Sequence, residues 1–151
     1  MFLRLPKNPI SKLLVLPFDK PPLNLNDRPH RMEQARRVST IREATVWTAR
    51  AARLPKDLPH VWVEFVYRAP DRRSLDSDNL VATLKPVADA LAAGDSMKPG
   101  YGMTPDDSPR YMTKIMPYIL AKDDPRLPQL PPGACAVLLS WEAPEGGDND
   151  E

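Results

Sequence analysis

Nineteen of the 151 residues are proline, crowded near the N-terminus and in the C-terminal third. Proline fixes its own backbone angle, offers no N–H and breaks a helix from within. A chain punctuated this way favours a few short elements joined by fixed turns and edges over a long helical bundle. Residues 12–18, Lys-Leu-Leu-Val-Leu-Pro-Phe, read as a first strand apolar enough for burial on both faces, with Pro17 placing its end at a sheet edge or bend. From about Met32 to Arg53 the pattern is helical, because Val38, Ile41, Thr45, Thr48 and Ala52 recur at spacings of three and four. His60–Tyr67 is the clearest strand, with Val61, Val63 and Phe65 on one face and Trp62, Glu64 and Val66 on the other.

A second helix is expected from about Asn79 to Ala92, kinked or interrupted by Pro86. After it, residues 94–105 form a long loop with three glycines and two prolines, a length that in compact domains marks function or mobility. Tyr111–Leu120 and Ala134–Trp141 read as two further strands, kept short or edge-like by Pro117 and by the proline-rich 125–132 connection. The expected fold is therefore α+β: a single domain over residues 1–143, of βαβαββ order, with a small mixed sheet packed by two helices. Residues 144–151 form an acidic tail expected to be disordered.

Several function classes are set aside by what the chain lacks. No apolar run reaches the ~20 residues that span a bilayer, so no membrane partner is expected. The first residues, Met-Phe-Leu-Arg-Leu-Pro, lack the apolar core and cleavage site of a signal peptide. The lone Cys135 permits neither an internal disulfide nor a cysteine zinc cluster, which suits a reducing cytoplasm. Two histidines make a histidine metal site a poor candidate, leaving carboxylates as the main source of chemistry.

The net charge of +1 conceals a partition. Arg28 to Arg73 holds eleven basic residues against five acidic ones, whereas Glu142 to Glu151 holds five acids and no base. A basic half facing a site built of acids suits a polyanion held near a metal, although charge segregation of this size is often inert. Arg31, Arg42 and Arg53 fall eleven apart, near three whole turns, and line one helix flank with Arg50 close by. That flank reads equally as a phosphate-tracking stripe or as a solvated helix face.

The acids concentrate in two places. Asp76 and Asp78 are two apart, so an extended segment points both carboxylates to one side just before the second helix. Asp106-Asp107 closes the glycine-rich loop. Within the helix, Lys85 and Asp89 follow Asp78 by seven and eleven residues, which returns all three to one face. Carboxylates so gathered suit a hard divalent cation, which prefers oxygen ligands. The plainer alternative makes Asp78 a helix cap, Asp76 a solvated acid and Asp106-Asp107 a turn before Ser108-Pro109.

The ordered set Pro21-Pro22, Asn24, Asn26, then Asp76-x-Asp78-Asn79-Leu80, then Lys85-x-x-x-Asp89-Ala90-Leu91, then Asp106-Asp107, resembles the RusA family of Holliday-junction resolvases. The resemblance runs from the first expected strand to the last. It implies a homodimeric endonuclease, often phage or prophage encoded, that uses Mg²⁺, with Mn²⁺ as a substitute, to cut four-way DNA junctions symmetrically. Carried over by motif, Asp76, Asp78 and Asp107 would be catalytic acids and metal ligands, Asp106 would stand beside them, and Lys85 would match the family's lysine. Asp89 would be a further ligand or would orient Lys85. Arg72, Arg73, Arg31, Arg42, Arg53, Asn24 and Asn26 would meet the DNA. The family's lysine stands three residues nearer the Asp-Asn pair than Lys85 does, and Leu75 takes the place of a basic residue. Two other classes stay open: a branched-DNA-binding protein of the same fold without turnover, and a small interaction module whose aspartates are only caps and turns.

Overall fold

The computed structural model describes residues 4–25, 28–72 and 75–144. In chain order its elements are β1 (Pro9–Leu16), α1 (Arg31–Ala51), β2 (Val61–Arg68), a 3₁₀ turn (Ser77–Leu80), α2 (Val81–Leu91), β3 (Met112–Leu120) and β4 (Cys135–Glu142). The four strands form one mixed sheet in the order β1-β4-β2-β3. β1 and β2 both pair antiparallel with β4, while β2 and β3 run parallel. Together with the two helices this makes an α+β fold.

Local chemistry sets the helix ends. His30 stands before α1, and its Nδ1 accepts from the Met32 N–H at 3.2 Å. Glu33 in the first turn and Arg50 in the last complement the helix dipole. Lys12 on β1 donates to the Ala52 carbonyl at 3.0 Å, capping the C-terminal end with a cation. Ile41, Thr45 and Ala49 are the buried stripe, and the Thr45 hydroxyl is satisfied by the Ile41 carbonyl at 2.7 Å. The helix ends at Ala51, two residues short of the expected Arg53, which instead adopts a left-handed φ of 52°.

Both helices pack on one face of the sheet. Ile41, Ala49, Leu84, Val87, Ala88 and Leu91 join Leu14, Val61, Val63, Phe65, Val137 and Leu139 in one apolar core. The expected faces of β2 hold, since the opposite side carries Val66, which belongs to a smaller core with Leu120, Leu130 and Ala136. α2 runs unbroken through the buried Pro86, so the expected interruption does not occur. Because β2 and β3 are parallel, α2 is the crossover between them. It starts beside the C-terminal ends of those strands and finishes beside their beginnings.

Two strand expectations are corrected. β1 lies at a sheet edge and buries only Leu14 and Leu16, so it is not covered on both faces. β4 is an interior strand with Cys135, Ala136, Val137, Leu139 and Trp141 buried, not an edge. The 125–132 prolines lie in its approach segment, which folds over the smaller core instead of shortening the strand. β3 is the edge expected from Pro117. Its register shifts between Glu64↔Ile115 and Val66↔Tyr118, a bulge spanning Pro117, where a missing N–H costs no ladder bond.

The approach segment is held by one side chain. Arg68, at the end of β2, is 3% exposed and donates to five backbone carbonyls. Its Nε meets Leu130 at 2.6 Å, Nη1 meets Ala121 at 2.9 Å and Asp124 at 2.8 Å, and Nη2 meets Arg126 at 2.5 Å and Leu127 at 2.9 Å. A guanidinium has five N–H groups, so its capacity is filled. Among the described residues, no helix is long and apolar enough to cross a membrane. Asn26, Arg73 and residues 145–151 of the expected tail lie outside the described residues.

Candidate active site

The acidic residues separate along α2. Asp76 and Asp78 stand at its N-terminal end, Asp76 before the 3₁₀ turn and Asp78 within it. Both are exposed, and neither Asp76 nor Leu80 makes a side-chain cap. The loop of Asn24 docks here: Leu25 N–H donates to the Asn79 carbonyl at 3.0 Å, and Thr83 Oγ1 exchanges bonds with Leu23 at 2.6 and 3.1 Å. Asn24 is thereby carried to the Asp78-Asn79 end of the helix. Lys85 is exposed one turn into α2.

Asp89 and Asp107 meet at the other end. Eleven residues at ~1.5 Å each put Asp89 about 16 Å along the axis from Asp78, too far for both to share one ion. The two carboxyl groups, Asp89 near the end of α2 and Asp107 after the glycine-rich loop, lie close enough there to shift each other's pKa. Lys114 on β3 donates to Asp107 Oδ2 at 2.7 Å. Arg42 on α1 approaches Asp89 Oδ2 at 4.0 Å and donates to the Lys98 carbonyl at 3.2 Å. Four charged side chains from four segments thus converge where α2 ends and β3 begins.

Their protonation follows from position. Burial pushes the Asp89 carboxyl above the ordinary aspartate range, and the hydrogen bond and charge of Asp107 push it further. The Lys114 ammonium, together with the same carboxyl–carboxyl bond, holds Asp107 below that range against its own burial. Of the two, Asp89 therefore keeps its proton to the higher pH and Asp107 ionises first. Asp106 does not join them. Its carboxylate accepts from the Ser108 N–H at 2.8 Å, and the Ser108 side chain, with that N–H second, lowers its pKa, so it serves the turn.

Asp107 and Lys114 also line a cleft of about 430 Å³ with Arg4, His60 and Thr113. His60 is buried, with Nδ1 2.9 Å from the Arg110 carbonyl and Nε2 2.7 Å from Thr113 Oγ1. A carbonyl only accepts, so Nδ1 carries a proton and donates to it, while Nε2 pairs with the threonine hydroxyl. With both nitrogens engaged, His60 is a wall of the cleft. Arg4 lies over the Trp62 ring, 5.4 Å from its centroid, and its carbonyl takes the indole N–H at 2.9 Å.

Lys114 and Arg4 are cations that sequence reasoning did not single out. Lys114 had a signal: it follows buried Met112 by two, so the alternation of β3 puts a charge on the apolar, helix-facing side. Arg4 had none. Among the expected DNA contacts, Arg31 and Arg72 are exposed, Arg42 is braced against Asp89 and Lys98, and Arg53 has left the α1 flank.

The resemblance implies Mg²⁺, and the donor set of the cluster decides whether that ion fits. Among the described residues, no three His, Cys, Asp or Glu side chains group as a metal site. Mg²⁺ is commonly held by one or two carboxylates, with water and substrate phosphate completing its shell. Asp89 and Asp107, two neighbouring carboxyl groups that shift each other's pKa, fit that smaller requirement. Asp76, Asp78 and Asp107 as one shared set do not. Comparison of the chain with models of protein families and with curated proteins found no match.

Proposed function

We propose that this chain is a Mg²⁺-dependent, structure-specific endonuclease that resolves four-way DNA junctions by paired, symmetric phosphodiester hydrolysis, in the manner of the RusA family. The observation that carries the reading is the convergence of Asp89, Asp107, Lys114 and Arg42 beside a cleft lined by Arg4. Asp89 and Asp107 would hold the ion, Mg²⁺ or Mn²⁺, both as carboxylates. Bound there, the ion would supply an activated water near neutral pH and Lewis acidity toward a phosphoryl oxygen.

The chain's own residues do the rest. Lys114, fixed by Asp107, offers its remaining donors to the scissile phosphate and to charge developing on it. Arg4 adds a second cation at the same cleft. Arg42 fixes Asp89 from α1 and offsets the negative charge that its ionisation creates. A two-fold branched substrate requires two such centres at fixed separation, which a cytoplasmic homodimer provides.

A second reading is favoured by one observation: Asp76 and Asp78, the first acids of the family pattern, stand a helix length away from Asp107. That separation suits a branched-DNA-binding protein of the same fold without turnover. One assay divides the two readings. An end-labelled four-way junction is incubated with Mg²⁺ or EDTA, beside a linear duplex of the same sequence. Paired nicks that need Mg²⁺, spare the duplex and disappear in Asp107→Asn support the nuclease. Junction retained without nicking supports the second reading, and neither binding nor cutting sinks both. Asp89→Asn and Asp76→Asn then tell which end of α2 carries the chemistry.

A further inference from the structure

A groove of about 730 Å³ runs between α1 and the Gly94–Gly100 loop. Its walls carry Arg31, Arg42, Arg50 and Lys98 against the single acid Glu43, with the Trp47 indole between them. Trp47 is 67% exposed, whereas Trp62 and Trp141 are 3% and 9% exposed. The Arg50 guanidinium lies over the Trp47 ring, 5.5 Å from its centroid. At the tip of the facing loop, Met97 is 87% exposed.

The groove is built, not incidental. The Asp95 carboxylate accepts from the N–H groups of Met97 at 2.9 Å and Lys98 at 2.8 Å, which fixes the loop tip. Gly94 and Pro99 form a bridge across the loop, and Gly94 holds a φ of +69°. Gly100 packs so closely that a Cβ there would lie 1.8 Å from the Ala92 carbonyl oxygen. Arg42 ties the loop to α1 through the Lys98 carbonyl and reaches Asp89 on its other side. Arg42 thus stands both in the groove wall and beside Asp89 of the carboxyl pair.

We infer that this groove binds single-stranded DNA, with an unpaired base stacked on Trp47 and flanking phosphates held by Arg31, Arg50 and Lys98. An exposed indole set among cations is the pairing that recognises nucleic-acid strands, because the ring takes a base face and the cations take the backbone. In a duplex the base faces are covered by stacking, so the indole selects an unpaired strand. A second copy of this chain is disfavoured, since a self-meeting patch would set four cations against the same four. The choice of DNA among polyanions rests on the nuclease reading, while the test below contains no cleavage step, so the two fail separately.

The full chain is titrated in EDTA with a fluorescein-labelled oligo-dT of about twelve nucleotides. Anisotropy and tryptophan fluorescence are read together, the latter reporting chiefly Trp47. The expected result is binding with quenching, about ten- to a hundredfold weaker in Trp47→Ala and largely kept in Trp47→Phe. Arg50→Gln should reduce the slope of log affinity against log salt by about 0.7. The inference is overturned if oligo-dT gives no quenching, or if Trp47→Ala binds as the wild type does. Tighter binding of oligo-rU assigns the groove to RNA, and a wild-type dimer that Trp47→Ala turns monomeric assigns it to a second copy. Either outcome overturns the inference.

Discussion

Replacing Arg68 by methionine keeps most of the stem's packing and removes all five hydrogen bonds to the 121–130 segment. Charged hydrogen bonds are worth roughly 1.5–3 kcal/mol each, so five set an upper limit well above any realistic loss. Four of the contacts are only partly buried, and their carbonyls regain water once the guanidinium is gone. The Leu130 contact is buried, and its carbonyl loses its charged partner outright. A cost of about 3–5 kcal/mol follows, the range for breaking a buried charged network. Against a typical domain stability of ~5–15 kcal/mol this is a large fraction, equivalent to a fall in Tm of about 10–15 °C. Urea unfolding followed by tryptophan fluorescence measures it. Arg68→Lys offers three donors from one point and should recover little of the loss. If Arg68→Met unfolds within about 1 kcal/mol of the wild type, or if lysine restores full stability, the carbonyl network is not what holds the segment.

Lys114→Met should separate function from stability: both partners of its ion pair are 35% exposed, so the pair is worth about 1 kcal/mol or less. If Lys114 faces the scissile phosphate, the same change should slow junction cleavage by about 10²–10³-fold; equal rates with unchanged folding would remove it from the centre. By NMR, Asp89 should titrate above and Asp107 below the ordinary aspartate value of 3.8. In the window just above 3.8 the folded chain holds the Asp89 proton that the unfolded chain has lost, so this group's contribution to stability falls as pH rises. Asp107 has the opposite sign, its contribution being lost as pH falls below 3.8. Asp107→Asn should return Asp89 only part of the way, since burial is the larger cause; an unmoved Asp89 would show that the carboxyls do not meet. Gly100→Ala forces a Cβ against the Ala92 and Ala90 carbonyls and should cost about 1–3 kcal/mol in urea unfolding while weakening oligo-dT quenching; wild-type behaviour in both would mean the loop has another geometry.

What the sequence made legible was periodicity. The alternation in Val61–Tyr67 placed Val61, Val63 and Phe65 on the core face, where they are buried. The three- and four-residue spacing in α1 found Ile41 and Thr45, and Pro117 announced the edge strand. Long-range partners were not legible. Arg68 carried no signal, because its five acceptors are backbone atoms more than fifty residues away. Backbone carbonyls have no identity in a sequence, so nothing marked the segment they belong to. The same blindness made the proline-rich connection look like a limit on β4, although it covers an interior strand.

The candidate site shows where counting residues along a helix stops being sufficient. Spacings of seven and eleven return Asp78, Lys85 and Asp89 to one face, and that reading concerns rotation alone. A helix also translates, and eleven residues amount to about 16 Å, several times what two aspartate side chains around one ion span. Since α2 is a crossover between parallel strands, its two ends must lie at opposite ends of those strands. The glycine-rich loop returns from the C-terminal end, so Asp107 is delivered to Asp89 and away from Asp76. Within one chain the fold therefore makes two acidic places from one motif. One of the two lies next to Lys114, Arg42 and the Trp47 groove, and it is there that the proposed ion, phosphate and unpaired strand would meet.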